Sequence, residues 1–221
     1  MRLFISAANQ SNPRSVAARL RRRRHEFFMQ LIAPLPRPIR ILDVGGREIY
    51  WRQMGFCAED DCSIVLLNLK DTETSLPNIS GEIGDGTSMP QYAAGAFDVV
   101  FSNSVIEHLH TWESQVKMAN EIQRVGKRYF VQTPNRFFPI EPHFHVPFFQ
   151  FMPLALRIYL LQHHALGHNN RKLSDDAEAE RMAREIRLLS LYDMRRLFPG
   201  AKFYKEHVFG VLKSFVAYGG W

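Results

Sequence analysis

Short apolar runs that alternate with helix-like segments constrain the fold of this chain more than any other feature of its sequence. Between two of the runs, Trp112, Val116, Ala119 and Ile122 recur at helical spacing. Alternation of strands and helices favours βαβ units, and therefore a parallel sheet that is covered on both faces. The predicted parallel strands are residues 40–44, 63–67, 81–83, 97–101 and 128–132.

The C-terminal part predicts two more strands. Residues 201–208 and 212–218 alternate apolar and polar side chains around Gly210, which indicates a hairpin that adds antiparallel strands to the sheet edge. The predicted fold is therefore α/β, a Rossmann-like, doubly wound, mostly parallel seven-stranded sheet. A segment rich in Phe and Pro, residues 137–153, interrupts the rhythm and predicts a helical and aromatic lid insertion.

Two further helices are predicted, one near the N-terminus and one before the C-terminal hairpin. Asn12-Pro13 is a typical helix start, and the helix that follows carries the run Arg21–Arg24. We interpret this run as a solvated face in preference to a nucleic-acid-binding face. Pro34, Pro36 and Pro38 end the helix. Ser174 is predicted as the N-cap of a second helix that continues to about Leu191.

Composition excludes several classes of protein. Hydrophobic residues make up 46% of the 221 residues, too many for a disordered chain. Two cysteines, Cys57 and Cys62, are too few for a zinc site or a disulfide framework. No apolar run is long enough to span a membrane, and the first residues are too short a run for a secretory signal, so we expect a cytoplasmic protein. The net charge of +6 permits an anionic partner.

Small or polar residues follow four of the predicted strands. In an open α/β sheet, ligands bind at the carboxyl ends of the strands. Adjacent glycines let the backbone approach a ligand closely, a polar residue after the second strand can hold ribose hydroxyls, and a carboxylate can accept from an exocyclic amine. The residues at these ends are Asp43 with Gly45 and Gly46, Asn68 with Leu69, Asp85 with Gly86 and Thr87, and Ser102 with Asn103 and Ser104.

In these residues the chain resembles the class I S-adenosylmethionine-dependent methyltransferases, in particular the small single-domain bacterial enzymes. Residues 41–46 resemble the first motif, 66–69 the ribose-binding strand end, 84–90 the adenine-binding turn, and 97–108 the fourth strand with the helix after it. The resemblance implies S-adenosyl-L-methionine as cofactor. It implies these contacts: Asp43, Gly45, Gly46, Asn68, Leu69, Asp85, Gly86, Thr87, Ser102, Asn103, Ser104 and His108.

Two departures from the family pattern concern the cofactor. The first motif usually has spaced glycines, whereas Gly45 and Gly46 are adjacent, so the loop must take another path, with Arg47, Tyr50 or Trp51 closing over the cofactor. The usual ribose-binding acid is replaced by Asn68, with Asp71 as a second candidate. The Gly-x-Gly-x-x-Gly fingerprint is absent, which argues against a nicotinamide enzyme.

The resemblance divides a single domain, residues 1–221, into four parts. We expect a helical cap over 1–38, a cofactor-binding core over 39–135, a substrate lid over 136–181, and a C-terminal helix and hairpin over 182–221.

Catalytic candidates follow the fifth strand. Methyl transfer depends mainly on positioning, and a base is needed only when the acceptor must lose a proton. Glu141, His143 and His145 are candidates, with a histidine as base, although they equally fit structural polar residues. We expect no metal site, because Glu107 and His108 lack further ligands unless His143 or His145 joins them.

The nature of the acceptor stays open at this stage. The Phe-rich segment fits an apolar acceptor pocket, a surface that touches a membrane, or a lid packed on its own domain. Lys172 and the N-terminal arginines could serve an anionic substrate. We predict methyl transfer to a small-molecule or a lipid- or sugar-linked acceptor. The alternatives are a nucleic-acid methyltransferase, suggested by the basic charge, and a non-catalytic scaffold or assembly protein on the same fold.

Overall fold

The computed structural model describes residues 15–58, 61–166 and 171–221. Its strands are β1 Ile39–Val44, β2 Cys62–Asn68, β3 Ile79–Ile83, β4 Val99–Asn103, β5 Tyr129–Pro134, β6 Lys202–Val208 and β7 Val211–Gly219. Its α-helices are α1 Val16–Ile32, α2 Glu48–Gln53, α3 Trp112–Val125, α4 Leu154–His163, α5 Asp176–Arg184 and α6 Leu191–Leu197. None of these helices combines the length and the apolar character that crossing a membrane requires.

The seven strands form one sheet in the order β3-β2-β1-β4-β5-β7-β6. Strands β1 to β5 run parallel to one another, and β7 runs antiparallel to both β5 and β6. The predicted doubly wound, mostly parallel sheet with a C-terminal antiparallel hairpin is confirmed. The order reverses beside β1, so the carboxyl ends of β1 and β4 border the crevice where ligands bind in such sheets.

Two apolar layers cover the sheet, because successive strand residues point to opposite faces. Leu42 and Val100 pack on one face with Met118 and Ile122 of α3. The opposite face is packed by α1 and α2, and its buried side chains include Ile41, Phe101, Phe130, Phe28 and Trp51.

Helix α1 is fixed by its cap and by one aromatic side chain. The Ala18 amide donates to Ser15 Oγ over 3.0 Å, so the described helix begins at Val16, while the predicted start at Asn12-Pro13 lies outside the described residues. The ring centroid of Phe28 lies 5.0 Å from that of Phe101. The interpretation of the arginine run holds for the exposed Arg22 and Arg23 only.

For Arg24, the interpretation of the arginine run as a solvated face was wrong. Its residue surface is only 7% exposed, and its Nη1 lies 3.5 Å from Glu206 Oε2 on β6. Helical periodicity turns this residue, together with Ala18, Leu20 and Phe28, toward the sheet. The helix therefore carries a basic side chain into the interior, where the sequence interpretation placed it in solvent.

The prediction of one helix from Ser174 to about Leu191 was wrong in two respects. Asp175, not Ser174, is the N-cap, because its side chain accepts from the Glu178 amide. The helix then ends at Arg184, and α6 starts separately at Leu191. A capping box between Ser190 and Asp193 provides that second start, since each side chain binds the backbone amide of the other.

The segment between β5 and α6 has an apolar cluster of its own, built from Phe144, Phe149, Leu161, Leu173, Ala179 and Ala183. The aromatic side chains of this segment divide into two groups. Phe144 and Phe149 are buried with ring centroids 4.4 Å apart, whereas Phe137, Phe148 and Phe151 are exposed. The segment thus packs on itself, and it also leaves aromatic surface in solvent.

Candidate active site

Two adjoining cavities open at the carboxyl edge of the parallel strands. The β2 cleft, of about 710 Å³, is lined by residues that follow β1, β2 and β3. The β5 cavity, of about 590 Å³, is lined by residues from α1, β7 and the ends of β1, β4 and β5. Gly45, Arg47 and Ile49 line both cavities, so the loop after β1 separates them.

The loop after β1 is folded tightly over Asp43. A Cβ atom on Gly46 would lie 1.8 Å from Asp43 Oδ2, and a Cβ on Gly45 would lie 2.6 Å from Val105 Cγ2. Gly45 has a φ of +77°, and its amide donates to Leu67 O over 2.8 Å. Only glycine satisfies this path at both positions, which explains the adjacent pair in the altered first motif.

Asp43 itself is buried beneath this loop. Its Oδ2 accepts from Trp51 Nε1 over 2.8 Å, whereas its Oδ1 has no hydrogen-bond partner among the described residues. Burial raises the pKa of Asp43 to about 7, and the bond from Trp51 opposes that effect. Of the three residues expected to close over the cofactor, Arg47 and Tyr50 line the β5 cavity, and Trp51 is buried beside Asp43.

Asn68 also shapes the loop. Its Nδ2 donates to Gly46 O over 2.9 Å, and the residue lines the β2 cleft. A carboxylate at this position could not make that bond, because it has no hydrogen to donate. The two departures from the family pattern are thus connected, since the amide in place of the acid holds the adjacent glycines. Asp71 and Leu69 line the same cleft.

The turn after β3 closes the other side of the β2 cleft. Asp85 Oδ1 accepts from the Thr87 amide over 2.8 Å, and Asp85, Gly86 and Thr87 all line the cleft. A Cβ on Gly86 would lie 2.6 Å from Val44 Cγ1, so a side chain there would meet β1. The exposed carboxylate of Asp85 therefore stabilises its own turn, and it also faces the cleft.

The end of β4 belongs to the β5 cavity. Asn103 and Ser104 line it, and Ser104 Oγ donates to Gln132 Oε1 over 2.8 Å. Asn103 Oδ1 is buried and has no hydrogen-bond partner within the described chain. Together with Asp43 Oδ1 it gives the cavity two acceptor oxygens that no described donor satisfies.

Two residues that the resemblance implied as cofactor contacts line neither cavity. Ser102 is fully buried, and its Oγ donates to Val44 O over 3.1 Å, so it joins β4 to β1. His108 lies at the end of a 3₁₀ turn, Ile106–His108, beside His143. The strand pairing and the turn direct these side chains away from both cavities, and a cofactor contact at either residue stays a prediction.

The catalytic candidates after β5 lie outside both cavities as well. Glu141 is buried, its Oε1 lies 2.6 Å from His143 Nδ1, and its Oε2 accepts from the amides of His143 and Phe144. The His145 amide donates to Glu141 O. Among residues of this loop, Phe138 and Pro142 line the β5 cavity. Glu141 thus organises the loop, and it orients His143.

His143 meets two residues from the turn after β4. Burial lowers the pKa of His143, but the hydrogen bond and the charge of Glu141 outweigh it and raise that pKa above its usual value. Burial, followed by the charge of His143, lowers the pKa of His108 to about 4. Burial also raises the pKa of Glu107 to about 6, although its Oε2 accepts from Thr133 Oγ1 over 3.0 Å.

These three side chains have the spacing of a metal-ligand set. One oxygen of Glu107 and ring nitrogens of His108 and His143 all lie within 4.8 Å of one another. One carboxylate and two imidazoles suit Zn²⁺ and related divalent ions. The expectation of no metal site rested on a missing third ligand, and the fold supplies His143 in that role, so the stated reason does not hold.

Sequence reasoning missed the basic side chains of the β5 cavity. Arg21 and Arg24 come from α1, Lys213 comes from β7, and Tyr50, whose hydroxyl is buried, lines the same cavity. No local sequence motif indicates this group, because its residues come from opposite ends of the chain. Only the general suggestion that N-terminal arginines serve an anionic substrate pointed toward it.

Comparisons with known proteins find similarity to methyltransferases in sequence and in fold. Residues 60–129 match the model of a family described as a methyltransferase domain. The uncharacterized protein Rv1509 of Mycobacterium tuberculosis is 37% identical over 62 residues, which are 28% of this chain and 21% of that protein. The chain therefore spans about a fifth of the length of the curated relatives it matches.

Solved structures support the fold over most of the chain. A SAM-dependent methyltransferase from Aquifex aeolicus aligns with a TM-score of 0.50 and 12% identity over 88% of this chain and 87% of its own. A structure of SAM-dependent methyltransferases from Methanosarcina mazei aligns with a TM-score of 0.50 and 11% identity over 86% and 95%. This chain is therefore similar in fold to these SAM-dependent methyltransferases, and part of its core matches a methyltransferase domain.

Proposed function

We propose that this protein transfers the methyl group of S-adenosylmethionine to an acceptor that enters the β5 cavity. One observation carries the proposal: the two cavities meet at the loop of Gly45 and Gly46, at the carboxyl ends of the parallel strands. A cofactor with its nucleoside part in the β2 cleft would pass this loop and present its methionine part and methyl group to an acceptor in the β5 cavity. Transfer between the two requires only this close approach.

The residues present fit the cofactor. Asp43 Oδ1 and Asn103 Oδ1 are buried acceptors without hydrogen-bond partners among the described residues, which suits the ammonium group of its methionine part. Asn68 is available to the ribose through its amide oxygen, since its nitrogen is used by Gly46 O. Asp85 and Leu69 supply a carboxylate and an apolar side chain for the adenine ring.

When bound, S-adenosylmethionine supplies an electrophilic methyl group, and its thioether leaves without charge. The chain needs no acid for that leaving group, so its residues act by binding and orienting. His143 and His145 remain predicted bases, as does Glu141 in support of them, but the lining supports a mechanism that depends on positioning. A small-molecule or a lipid- or sugar-linked acceptor stays the proposed substrate class, and nucleic acid is the alternative.

Calorimetric titration tests this proposal directly. We expect micromolar binding of S-adenosylmethionine and S-adenosylhomocysteine, and no binding of NAD. Asp85→Ala should weaken the binding of both by about tenfold or more, since a hydrogen bond to a charged group contributes about 1.5–3 kcal/mol. The control is Asp61→Ala, because the exposed Asp61 lies at the amino end of β2, away from both cavities.

The outcomes separate the proposed enzyme from the scaffold alternative. Absence of binding to both S-adenosyl compounds would overturn the proposal and favour a non-catalytic scaffold. Binding that Asp61→Ala weakens as much as Asp85→Ala does would also count against the assigned cleft.

A further inference from the structure

The β5 cavity has an unusual charge for a protein interior. Among the described residues, four basic side chains line it, those of Arg21, Arg24, Arg47 and Lys213, and Asp43 is the one carboxylate in the lining. Because burial raises the pKa of Asp43 to about 7, this carboxylate neutralises the basic group only in part near neutral pH. Glu206 lies 3.5 Å from Arg24 and offsets one more charge, so the basic group keeps a net positive charge.

Arg24 is the most deeply placed of these side chains. Its guanidinium is 9% exposed, and its Nε and Nη1 make no hydrogen bond within the described chain. Glu206 Oε2, at 3.5 Å from Nη1, also accepts from Ser214 Oγ. A buried guanidinium normally satisfies its donors, so these two, unsatisfied by the described residues, are available to an acceptor bound in the cavity.

The positive charges of Arg21, Arg24 and Lys213 repel one another. Burial and then the charge of Arg24 lower the pKa of Arg21. Burial lowers the pKa of Lys213, the charge of Glu206 opposes this, and the charges of Arg24 and Arg21 lower it further. Folding brings these like charges together from α1 and β7, which is unfavourable; Glu206 compensates in part, and a bound anion would compensate further.

Neighbouring polar groups can complete an anion site. The Tyr50 hydroxyl is buried without a hydrogen-bond partner among the described residues, and it lies in the same lining. Guanidinium groups bind oxyanions in a bidentate manner, and a lysine ammonium adds a compact charge. The cavity thus offers charged donors, a hydroxyl donor and space.

We propose that the methyl acceptor of this enzyme carries an oxyanion, and that Arg21, Arg24 and Lys213 bind it in the β5 cavity. The inference rests on the proposed function, because it names the substrate class of the same site. An oxyanion could come from the acceptor or from the carboxylate of the cofactor. The acceptor is favoured because the cofactor's carboxylate is accompanied by its own ammonium group and would leave positive charge in the cavity, even with Glu206 beside Arg24.

The test uses inorganic pyrophosphate as the probe and the full chain saturated with S-adenosylhomocysteine, whose carboxylate is then in place. We expect calorimetry to detect pyrophosphate binding to this complex. The double variant Arg21→Gln/Lys213→Gln should weaken it at least tenfold and should leave the affinity for S-adenosylhomocysteine within about threefold. The matched control is Arg22→Gln/Arg23→Gln, which removes two exposed charges from α1 and should change pyrophosphate binding less than twofold.

Three results would overturn the inference, and each differs from failure of the proposed function, which is loss of S-adenosylhomocysteine binding by the wild-type chain. The first is no pyrophosphate binding to the saturated protein. The second is equal weakening by the two double variants, which would mean general screening. The third is a loss of S-adenosylhomocysteine affinity in Arg21→Gln/Lys213→Gln as large as the loss for pyrophosphate, which would assign the basic group to the cofactor. Thermal melting of both variants verifies folding.

Discussion

At the scale of single residues, the burial of Asp43 makes the stability of the folded protein depend on pH. Its folded pKa of about 7 lies above the ordinary value of 3.8, and burial is the cause. Between about pH 4 and pH 7 the folded protein keeps a proton that the unfolded chain releases. Stability should therefore be fully present below pH 4 and should fall as the pH rises toward 7.

Asp43→Asn should remove this pH dependence in the protein without ligand. Asparagine cannot ionise, and its oxygen can still accept from Trp51 Nε1. With about 1.4 kcal/mol for each unit of pKa, the stability of the variant relative to wild type should increase by up to about 4 kcal/mol between pH 4 and pH 7. Urea unfolding at several pH values measures this difference. Asp61→Asn is the control, and parallel pH curves for wild type and Asp43→Asn would contradict the prediction.

Asn68 shows at the same scale why one substitution cannot be interpreted alone. The sequence presents an amide in place of an acid and two adjacent glycines as separate departures. In the structure the amide donates to Gly46 O, so the departures form one local arrangement. The residue types were visible in the sequence, but this contact was not, because it depends on how the loop folds over Asp43.

At the scale of elements, α1 is attached to the sheet through Phe28, which is fully buried against Phe101, Phe130 and Trp51. Phe28→Ala should lower the free energy of unfolding by about 3–5 kcal/mol, since it removes a large side chain and leaves a cavity. Phe209→Ala, at a position that is 90% exposed, should change it by no more than about 0.5 kcal/mol. Chemical denaturation compares the two, and similar losses would show that α1 is not held in this way.

The strands were predictable from sequence because buried parallel strands are continuous apolar runs. Each predicted strand overlaps an observed one, and β4 is displaced by two residues at both ends, since it spans Val99–Asn103 and not 97–101. The helix after Asp175 was harder to predict. Its end at Arg184 has no proline or glycine signal, and only the Ser190 and Asp193 pair, three residues apart, marked the next start.

The candidate site was partly predictable for a related reason. Residues at strand ends must meet at one edge of the sheet, so Asn68, Asp85 and Asn103 could be named in advance. Arg21, Arg24 and Lys213 could not, because nothing local in the sequence states that α1 and β7 meet above the end of β5. Helical phase decides which two of the four consecutive arginines face inward.

At the scale of the whole molecule, the protein has two apolar layers around the sheet and a third cluster apart from them, in the segment between β5 and α6. Backbone hydrogen bonds to the core occur near the ends of this segment. Arg136 N donates to Leu189 O over 2.9 Å, and Arg187 N donates to Glu107 O over 2.8 Å. Its interior helices, α4 and α5, pack mainly on each other.

This arrangement predicts that the segment opens more readily than the sheet. Local stability follows the apolar contacts that an opening breaks, and here they belong to one small cluster. Amides of α4 and α5 should therefore exchange with deuterium at least about tenfold faster than those of β1, β4 and β5, measured by mass spectrometry.

Phe138 and Pro142 join the segment to the β5 cavity, so S-adenosylhomocysteine with pyrophosphate should slow exchange there if residues 136–181 act as the predicted lid. Equal protection of α4, α5 and the central strands would show a single cooperative unit and would contradict separate opening. A segment that opens separately but exchanges at the same rate with and without these ligands would contradict the lid.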